Sequence, residues 1–338
     1  MASAREIRRR IRSVKNIAQV TRALEAVSAS KVRRAQQAVT SSRPYSQKAF
    51  EILQHLSTQP GPKNRLHPLL EARPEVRAIG LVLITADRGL AGGYNTNVVR
   101  AGLDYARSAG APIRWITIGR KGRDLIIRRG GRVVAEFTGL SANPSINEIT
   151  PIARAIMDDF LRGEVDQVML VYTEFVSLIS QRPRVRQLLP LTMAGMAESA
   201  GATASANGSG PRTEYIYEPS AIGLLNAILP RFTETQVYQA ILEALASEHS
   251  ARMVAMRNAT DNAKALVQDL TLTYNKARQL SITSDLLDIA GGAEALAQAQ
   301  RGAHAHTEGV HGPDGRDPGW AAREAIVDLS PEAHFAPK

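Results

Sequence analysis

The stretch RFTETQVYQAILEALASEHSARMVAMRNATDNAKALVQDLTLTYNKARQLSITSDLLDIA, residues 231–290, contains no glycine and no proline. At 1.5 Å per residue it predicts about 90 Å of unbroken helix, whereas an ordinary globular helix has about 11–12 residues. Along it run Tyr238, Leu242, Leu245, His249, Met253, Met256, Thr260, Ala263, Val267, Leu270, Tyr274, Ala277 and Ser281. The gaps alternate between four and three almost throughout, a seam close to a heptad repeat. A domain of this size cannot enclose such a helix, so the seam needs a partner helix. Its later positions are small or polar, and Ala255, Ala259, Ala265, Thr271, Thr273 and Ser284 keep the other face mild. A dimerising zipper would put leucine at most d positions. Small residues on both faces read instead as a slim shaft.

The partner lies at the other end of the chain. Residues 2–43 also lack glycine and proline. Ile7, Ile11, Val14, Ile17, Val20, Leu24 and Val27 recur at gaps of three and four, one apolar stripe along a helix. Pro44 permits a kink, and Phe50, Leu53 and Leu56 continue the pattern to the break at Gln59-Pro60-Gly61-Pro62. The expected helices cover 1–60 and 220–298.

Charge concentrates on the first helix. The 338-residue chain has 42 Lys+Arg against 32 Asp+Glu, a net +10. Residues 5–34 hold ten basic side chains against Glu6 and Glu25, so this segment alone carries +8. Such a segment suits an acidic partner: nucleic acid, anionic lipid or an acidic protein surface. With 44% apolar and 22% charged residues the composition fits a folded, soluble protein. The absence of cysteine excludes disulfides, thiolate metal sites and thiol switches. No apolar run approaches the roughly 20 residues of a membrane helix. The basic first 20 residues lack the apolar core of a secretory signal, so an intracellular location is expected.

Between the helices the period changes. Ile79–Thr85, Ile113–Ile118 and Gln167–Tyr172 read as strands, alternating with helical stretches around 95–109, 119–129 and 145–161. That order predicts an α/β domain over 75–192 with right-handed crossovers. Arg184–Leu189 and Glu214–Tyr217 are candidate edge strands. Residues 193–213, rich in Ala, Gly, Ser and Asn, read as a flexible loop.

The motif Thr85-Ala-Asp-Arg-Gly-Leu-Ala-Gly-Gly-Tyr-Asn95 follows the first strand, where nucleotides bind in some α/β folds. It lacks both the Gly-Lys-Ser/Thr ending of a phosphate loop and the G-x-G-x-x-G spacing. Its glycines read as a tight turn with close helix–sheet packing. His304 and His306 lack a fixed supporting shell for a metal, and Asp158-Asp159 and Asp285/Asp288 read as solvated faces. No nucleophile–base pair can be named. The reading is a chain without catalytic residues, cofactor or metal.

Four segments together resemble the gamma subunit of F-type ATP synthases, the central rotor shaft. They are the basic stretch Ile7–Ala35, Thr85–Asn95, Tyr215-Ile-Tyr-Glu-Pro219, and Ser247–Ala263 followed by Leu272–Thr283. The likeness covers about residues 3–296. It implies an α/β fold in which the terminal helices form a long antiparallel coiled coil beside a central Rossmann-like domain. It implies a shaft inside the ring of alpha and beta subunits, resting on the membrane c-ring beside the epsilon subunit. Proton-driven rotation would then push the beta subunits in turn through states that release ATP. The expected position is peripheral, at the cytoplasmic face of a bacterial cell membrane.

By the same resemblance Arg278 and Gln279 contact a beta-subunit loop, with Leu24 at a position usually held by methionine. Arg8, Arg9 and Arg12 face acidic subunit surfaces, and Tyr215, Tyr217 and Glu218 lie near the c-ring and epsilon end. This sequence departs from the family in Asp285-Leu-Leu-Asp-Ile289, where glutamates are usual, and in running about 40 residues further. That tail, 300–338, is expected to be mostly disordered, with Trp320–Leu329 able to form a short amphipathic helix. The alternative from charge alone is a basic coiled coil that binds nucleic acid. It lacks interleaved aromatics and a known reading module.

Overall fold

A computed structural model describes residues 3–58, 67–200 and 221–308. Helix α1 (Ala4–Thr58) continues through Pro44, and helix α6 (Ala221–Glu308) continues through Pro230. Between them lie β1 (Ile79–Ile84), α2 (Tyr94–Ser108), β2 (Ile113–Ile118), α3 (Arg120–Ile127), β3 (Val133–Phe137), α4 (Ile146–Leu161), β4 (Gln167–Phe175), β5 (Gln181–Leu189) and α5 (Met193–Ala200). The chain divides into two compact units, residues 9–270 and residues 1–8 with 271–338.

The first unit is built on a five-stranded sheet in the order β3-β2-β1-β4-β5. The pairs β3–β2, β2–β1 and β1–β4 are parallel, and β5 joins β4 antiparallel. Alternation along β1 sends Leu81 and Leu83 to one face and Val82 and Ile84 to the other. One face meets Val98 and Val99 of α2 and Ile126 of α3. The other packs on Ile149, Ile152, Ile156 and Phe160 of α4, on Phe232, Val237 and Ile241 of α6, and on Phe50 and Leu53 of α1. The two terminal helices are therefore part of the sheet's own core.

Strand β3 escaped the sequence reading. It is five residues long, lies at the sheet edge and is only half-buried, so it lacks a strong apolar run. Residues 193–200 correct the expected loop: they form α5. Met196 is 1% exposed and enters the core, while Thr192 accepts a hydrogen bond from the Gly195 N–H at 3.1 Å. Residues 201–213 and 214–217 lie outside the described residues. Helix α6 also runs past the expected stop near 298, through Gly291 and Gly292 to Glu308. Two glycines weaken a helix by roughly 0.5–1 kcal/mol each without forbidding it. The remaining tail, 309–338, with its Trp320 segment, lies outside the described residues.

Within the first unit α1 and α6 meet through a seam that differs from the sequence expectation. Thr21 and Thr260, 239 positions apart, share a buried hydrogen bond of 2.7 Å. The buried side of α1 reads Val14, Thr21, Ser28, Val32 and Ala35. Ile17, Val20 and Val27, expected on the same stripe, are 53%, 59% and 53% exposed. Polar residues can sit on the buried side because Thr21 and Ser28 satisfy their hydroxyls within the helix pair or turn. In the second unit Ile7 is buried, whereas Leu272, Leu280, Leu286, Leu287, Ile289 and Leu296 are exposed.

A buried ion pair fixes the entry to the sheet. Arg73 donates from Nη1 to Asp166 at 2.7 Å and from Nη2 to the Phe160 carbonyl at 2.6 Å, and its guanidinium lies 5.1 Å from the Phe160 ring centroid. Asp166 also accepts the N–H groups of Arg77 and Ala78 at 2.8 and 3.1 Å. The Arg73 hydrogen bond, helped by those N–H groups, holds its carboxyl below the usual range. Asp166→Ala strands a guanidinium and two N–H groups, so denaturant unfolding of the full chain should show a loss of about 3 kcal/mol. A loss within the 0–1 kcal/mol typical of an exposed pair, roughly, would contradict this account.

Candidate functional site

The two motifs that stand out in the sequence, Thr85–Asn95 and Ser247–Ala263, meet in space. Tyr94 at the start of α2 donates its hydroxyl to the Ala244 carbonyl of α6 at 3.1 Å. Burial, with the nearby Glu248 charge, pushes this phenol far above its usual range. From α6, Arg252 reaches the Gly89 carbonyl through Nε and Nη2 at 3.4 and 3.3 Å. Its Nη2 also pairs with Glu248 at 2.6 Å, and its Nη1 lies 3.2 Å from His249 Nδ1. Ser247 and Ser250 donate to the Thr173 and Leu178 carbonyls at 3.0 and 2.7 Å. Helix α6 is thus bolted to the β1–α2 loop on one side and to the β4–β5 hairpin on the other.

The loop itself is closed by its own residues. Thr85 Oγ1 accepts the Gly122 N–H at 2.8 Å, and Asn95 accepts the Ala86 N–H at 2.9 Å. Asp87 accepts the Arg120 N–H at 3.0 Å and the Gly139 N–H at 2.8 Å, joining the loops that follow β1, β2 and β3. Gly119, at φ 98°, lets this happen: a Cβ there would collide with the Thr85 carbonyl. At the start of α3 the Arg120 N–H is taken by Asp87, the Lys121 N–H by the Ala86 carbonyl and the Gly122 N–H by the Thr85 hydroxyl, so the loop after β1 is tied to the helix after β2. The arrangement is a mechanical joint.

Burial next to Arg252 and Lys31 depresses His249. Desolvation is the main cause, with repulsion from the two cations added, and the imidazole is pushed down to about 4. Burial raises the neighbouring Glu248 carboxyl despite Arg252. Because an arginine N–H only donates, Nδ1 of His249 accepts, and Nε2 carries the hydrogen.

The other sequence-selected residues are distributed along the helices. Arg8, Arg9 and Arg12 are exposed on α1, and Leu24 is half-buried. Arg278 and Gln279 are exposed on α6. Tyr215, Tyr217 and Glu218 lie outside the described residues. Among the described residues there is no group of three or more potential metal ligands, and no helix is long and apolar enough to cross a membrane. The sequence reading missed the pairing of Arg252 with the Gly89 carbonyl and the role of Asp87. Backbone acceptors leave no mark in a sequence, although the acidic residue within a Gly-rich loop was visible.

Comparison with known proteins places these features together. The ATP synthase family matches residues 3–296. The chain is 50% identical over 297 residues to the ATP synthase gamma chain of Dehalococcoides mccartyi, covering 88% of this chain and 100% of that one. It is 47% identical over 299 residues to the gamma chain of Chloroflexus aurantiacus, covering 88% and 99%. Among solved structures it resembles a chain of the Euglena gracilis mitochondrial ATP synthase, with a TM-score of 0.58 at 19% identity over 88% of this chain and 95% of that one. A chain from the Tetrahymena thermophila central stalk and c-ring gives 0.52 at 23% identity over 71% and 99%.

The buried imidazole gives the joint a pH signature. Unfolded, a histidine takes up its proton near 6.5; folded, His249 resists until about 4. The unfolded chain therefore binds more protons in that window. Stability from this group is complete above pH 6.5, falls as pH drops through the window and levels off below it. Glu248 works in the opposite direction, so the test is a difference. His249→Gln should shrink the change in unfolding free energy between neutral and acid pH by up to about 3 kcal/mol. Denaturant titrations of both chains across that range measure it, and superimposable pH profiles would contradict it.

Proposed function

The chain belongs to the family of ATP synthase gamma chains, and we propose that it serves that complex as a non-catalytic rotor. It is the central-stalk subunit that passes rotation of the c-ring to the catalytic beta subunits and so drives ATP synthesis. The observation that carries this reading is identity of 50% along the full length of a gamma chain. The joint described above supports the non-catalytic part. The Gly-rich loop is spent on holding its neighbours: Asp87, Ala86 and Thr85 take the first N–H groups of α3. What the chain contributes is mechanical: each orientation of an asymmetric shaft favours a different state of each surrounding subunit.

The contacts we assign follow from what is left exposed. Ile17, Val20 and Val27 flank the half-buried Leu24, and Leu272, Leu280, Leu286, Leu287 and Ile289 follow one another along α6. Apolar surface at this density calls for a covering partner, which we take to be the ring of alpha and beta subunits. Arg278 and Gln279 lie within that stretch of α6. The guanidinium fork suits a carboxylate on beta, held bidentately. Arg8, Arg9 and Arg12 are assigned to acidic surfaces of the ring. Tyr215, Tyr217 and Glu218 are assigned to the end that meets the c-ring and epsilon. The chain then sits peripherally, at the cytoplasmic face of a bacterial cell membrane, and reaches the membrane only through the c-ring. No observation favours nucleic-acid binding.

Two substitutions test the assignment. In the assembled complex, Arg278→Ala should lower steady-state ATP turnover several-fold without loss of assembly, since one charged hydrogen-bonded contact contributes about 1.5–3 kcal/mol. Equal turnover at equal subunit content would remove Arg278 from the beta contact. Reversing Arg8, Arg9 and Arg12 together to glutamate should impair assembly or ATP-driven proton pumping. Single exposed charges contribute roughly 0–1 kcal/mol each, so the triple change is required. Normal pumping by the triple variant would make these charges a solvated face.

A further inference from the structure

Beyond the first helix, basic charge concentrates once more. Residues 120–132 hold Arg120, Lys121, Arg123, Arg128, Arg129 and Arg132 against Asp124, a net +5. Arg123 is engaged with Asp124 at 2.9 Å and with Glu136 at 3.2 Å. Arg128, Arg129 and Arg132 are exposed, and their side chains make no hydrogen bond or ion pair among the described residues. Other arginines at this end of the sheet have local partners: Arg107 pairs with Asp104, Arg114 with Glu164 and Arg162 with Asp159.

The backbone fixes the turn that carries the three free arginines. The Arg128 N–H bonds the Asp124 carbonyl at 3.2 Å and the Gly131 N–H bonds the Ile126 carbonyl at 3.0 Å, which closes α3. Gly130 takes φ 78°, a conformation that favours glycine, and a Cβ on Gly131 would collide with Ile126. The Arg132 carbonyl then accepts the Trp115 N–H at 3.3 Å, which seats the turn on β2. Three guanidinium groups and Ile127, itself 55% exposed, are thus held on a rigid support. The carbonyl end of α3 favours a cation in its last turn, but Arg132 lies beyond the helix, at the start of β3.

The direction of α6 shows which way this turn faces. Ser247 bonds the Thr173 carbonyl late in β4, and Glu234, about 20 Å earlier along α6, lies within ion-pair distance of Arg154 in the middle of α4. Helix α6 therefore runs alongside the strands, and its start at Ala221 points to their amino end. The turn lies at that same end, where α3 finishes and β3 begins. The residues shortly before α6, Tyr215, Tyr217 and Glu218, are those assigned above to the c-ring and epsilon end.

We propose that the α3–β3 turn docks an acidic protein loop of the subunits at the c-ring end. Arg128, Arg129 and Arg132 hold its carboxylates, and an apolar residue of the loop lies against Ile127. Arginine suits this partner because its planar fork holds a carboxylate bidentately. An anionic lipid surface is met by wider clusters, roughly four to eight cations, whereas this turn offers three on a rigid frame. Where the partner sits rests on the rotor reading; that the arginines are unpartnered does not.

The chain has no cysteine, so Ile127→Cys places a single photoreactive maleimide on the turn. The labelled full chain is assembled with the other subunits before irradiation. A chain that fails to co-purify with alpha and beta subunits overturns the rotor reading, and the placement of the partner with it. In an intact complex the expected product joins the probe to a c-subunit or epsilon peptide that carries Asp or Glu. Its yield should fall several-fold when Arg128, Arg129 and Arg132 are all changed to Gln, at equal subunit content. Changing all three to Lys keeps the charge without the forks and should lose less. No cross-link in an intact complex, a cross-link to lipid alone, a partner peptide without a carboxylate, or a yield indifferent to the triple Gln change would each overturn the docking proposal.

Discussion

Helix α6 is buried on nearly every side between Phe232 and Ser250, and the rest of the main unit depends on that. A helix enclosed in this way cannot sort its residues into a wet face and a dry one. Thr233, Glu234, Thr235, Gln236, Gln239, Ser247 and His249 are all taken out of water with the apolar residues. Each polar group then needs a local solution. Thr233 and Thr235 donate back to the Leu229 and Arg231 carbonyls one turn earlier. Glu234 lies within ion-pair distance of Arg154 and Arg231. Ser247 bonds the end of β4. These bonds, with the packing of Phe232, Val237 and Ile241 on the sheet, fix the rotation of α6 about its own axis.

A helix so held can transmit force. If the sheet domain is turned, Arg252, Tyr94, Ser247 and Ser250 carry the load to α6 through directional contacts with no slack, and the packed core resists shear. The loops at the carboxyl ends of the parallel strands are tied to one another as well: Asp87 joins those that follow β1, β2 and β3. Topology sets where a site could form; side chains decide whether one does.

Helix α1 divides its apolar residues between two roles. Val14, Val32 and Ala35 join Thr21 and Ser28 against the rest of the unit, while Ile17, Val20 and Val27 face outward. The Thr21–Thr260 hydrogen bond of 2.7 Å fixes which side of α1 meets α6. The basic charge faces outward too: Arg8, Arg9 and Arg12 are exposed, where a single charge contributes roughly 0–1 kcal/mol.

The sequence by itself determined the two long helices, because residues 2–43 and 231–290 have no glycine or proline and a three–four seam leaves little else possible. It determined three central strands and the crossover helices between them, because buried parallel strands are continuous apolar runs. It also exposed the Gly-rich loop and the Ser247–Ala263 stretch as motifs. Tertiary structure alone decided that these two meet, since Arg252 and Tyr94 bond to backbone carbonyls of Gly89 and Ala244, which any residue type could provide. It decided which side of α1 is buried, since apolar periodicity favours Ile17 over Thr21 while the Thr21–Thr260 hydrogen bond, 239 positions apart, puts Thr21 inside. It decided β3 and α5 as well, a half-buried edge strand and a helix anchored by the single buried Met196, whose order comes from the surface they pack on.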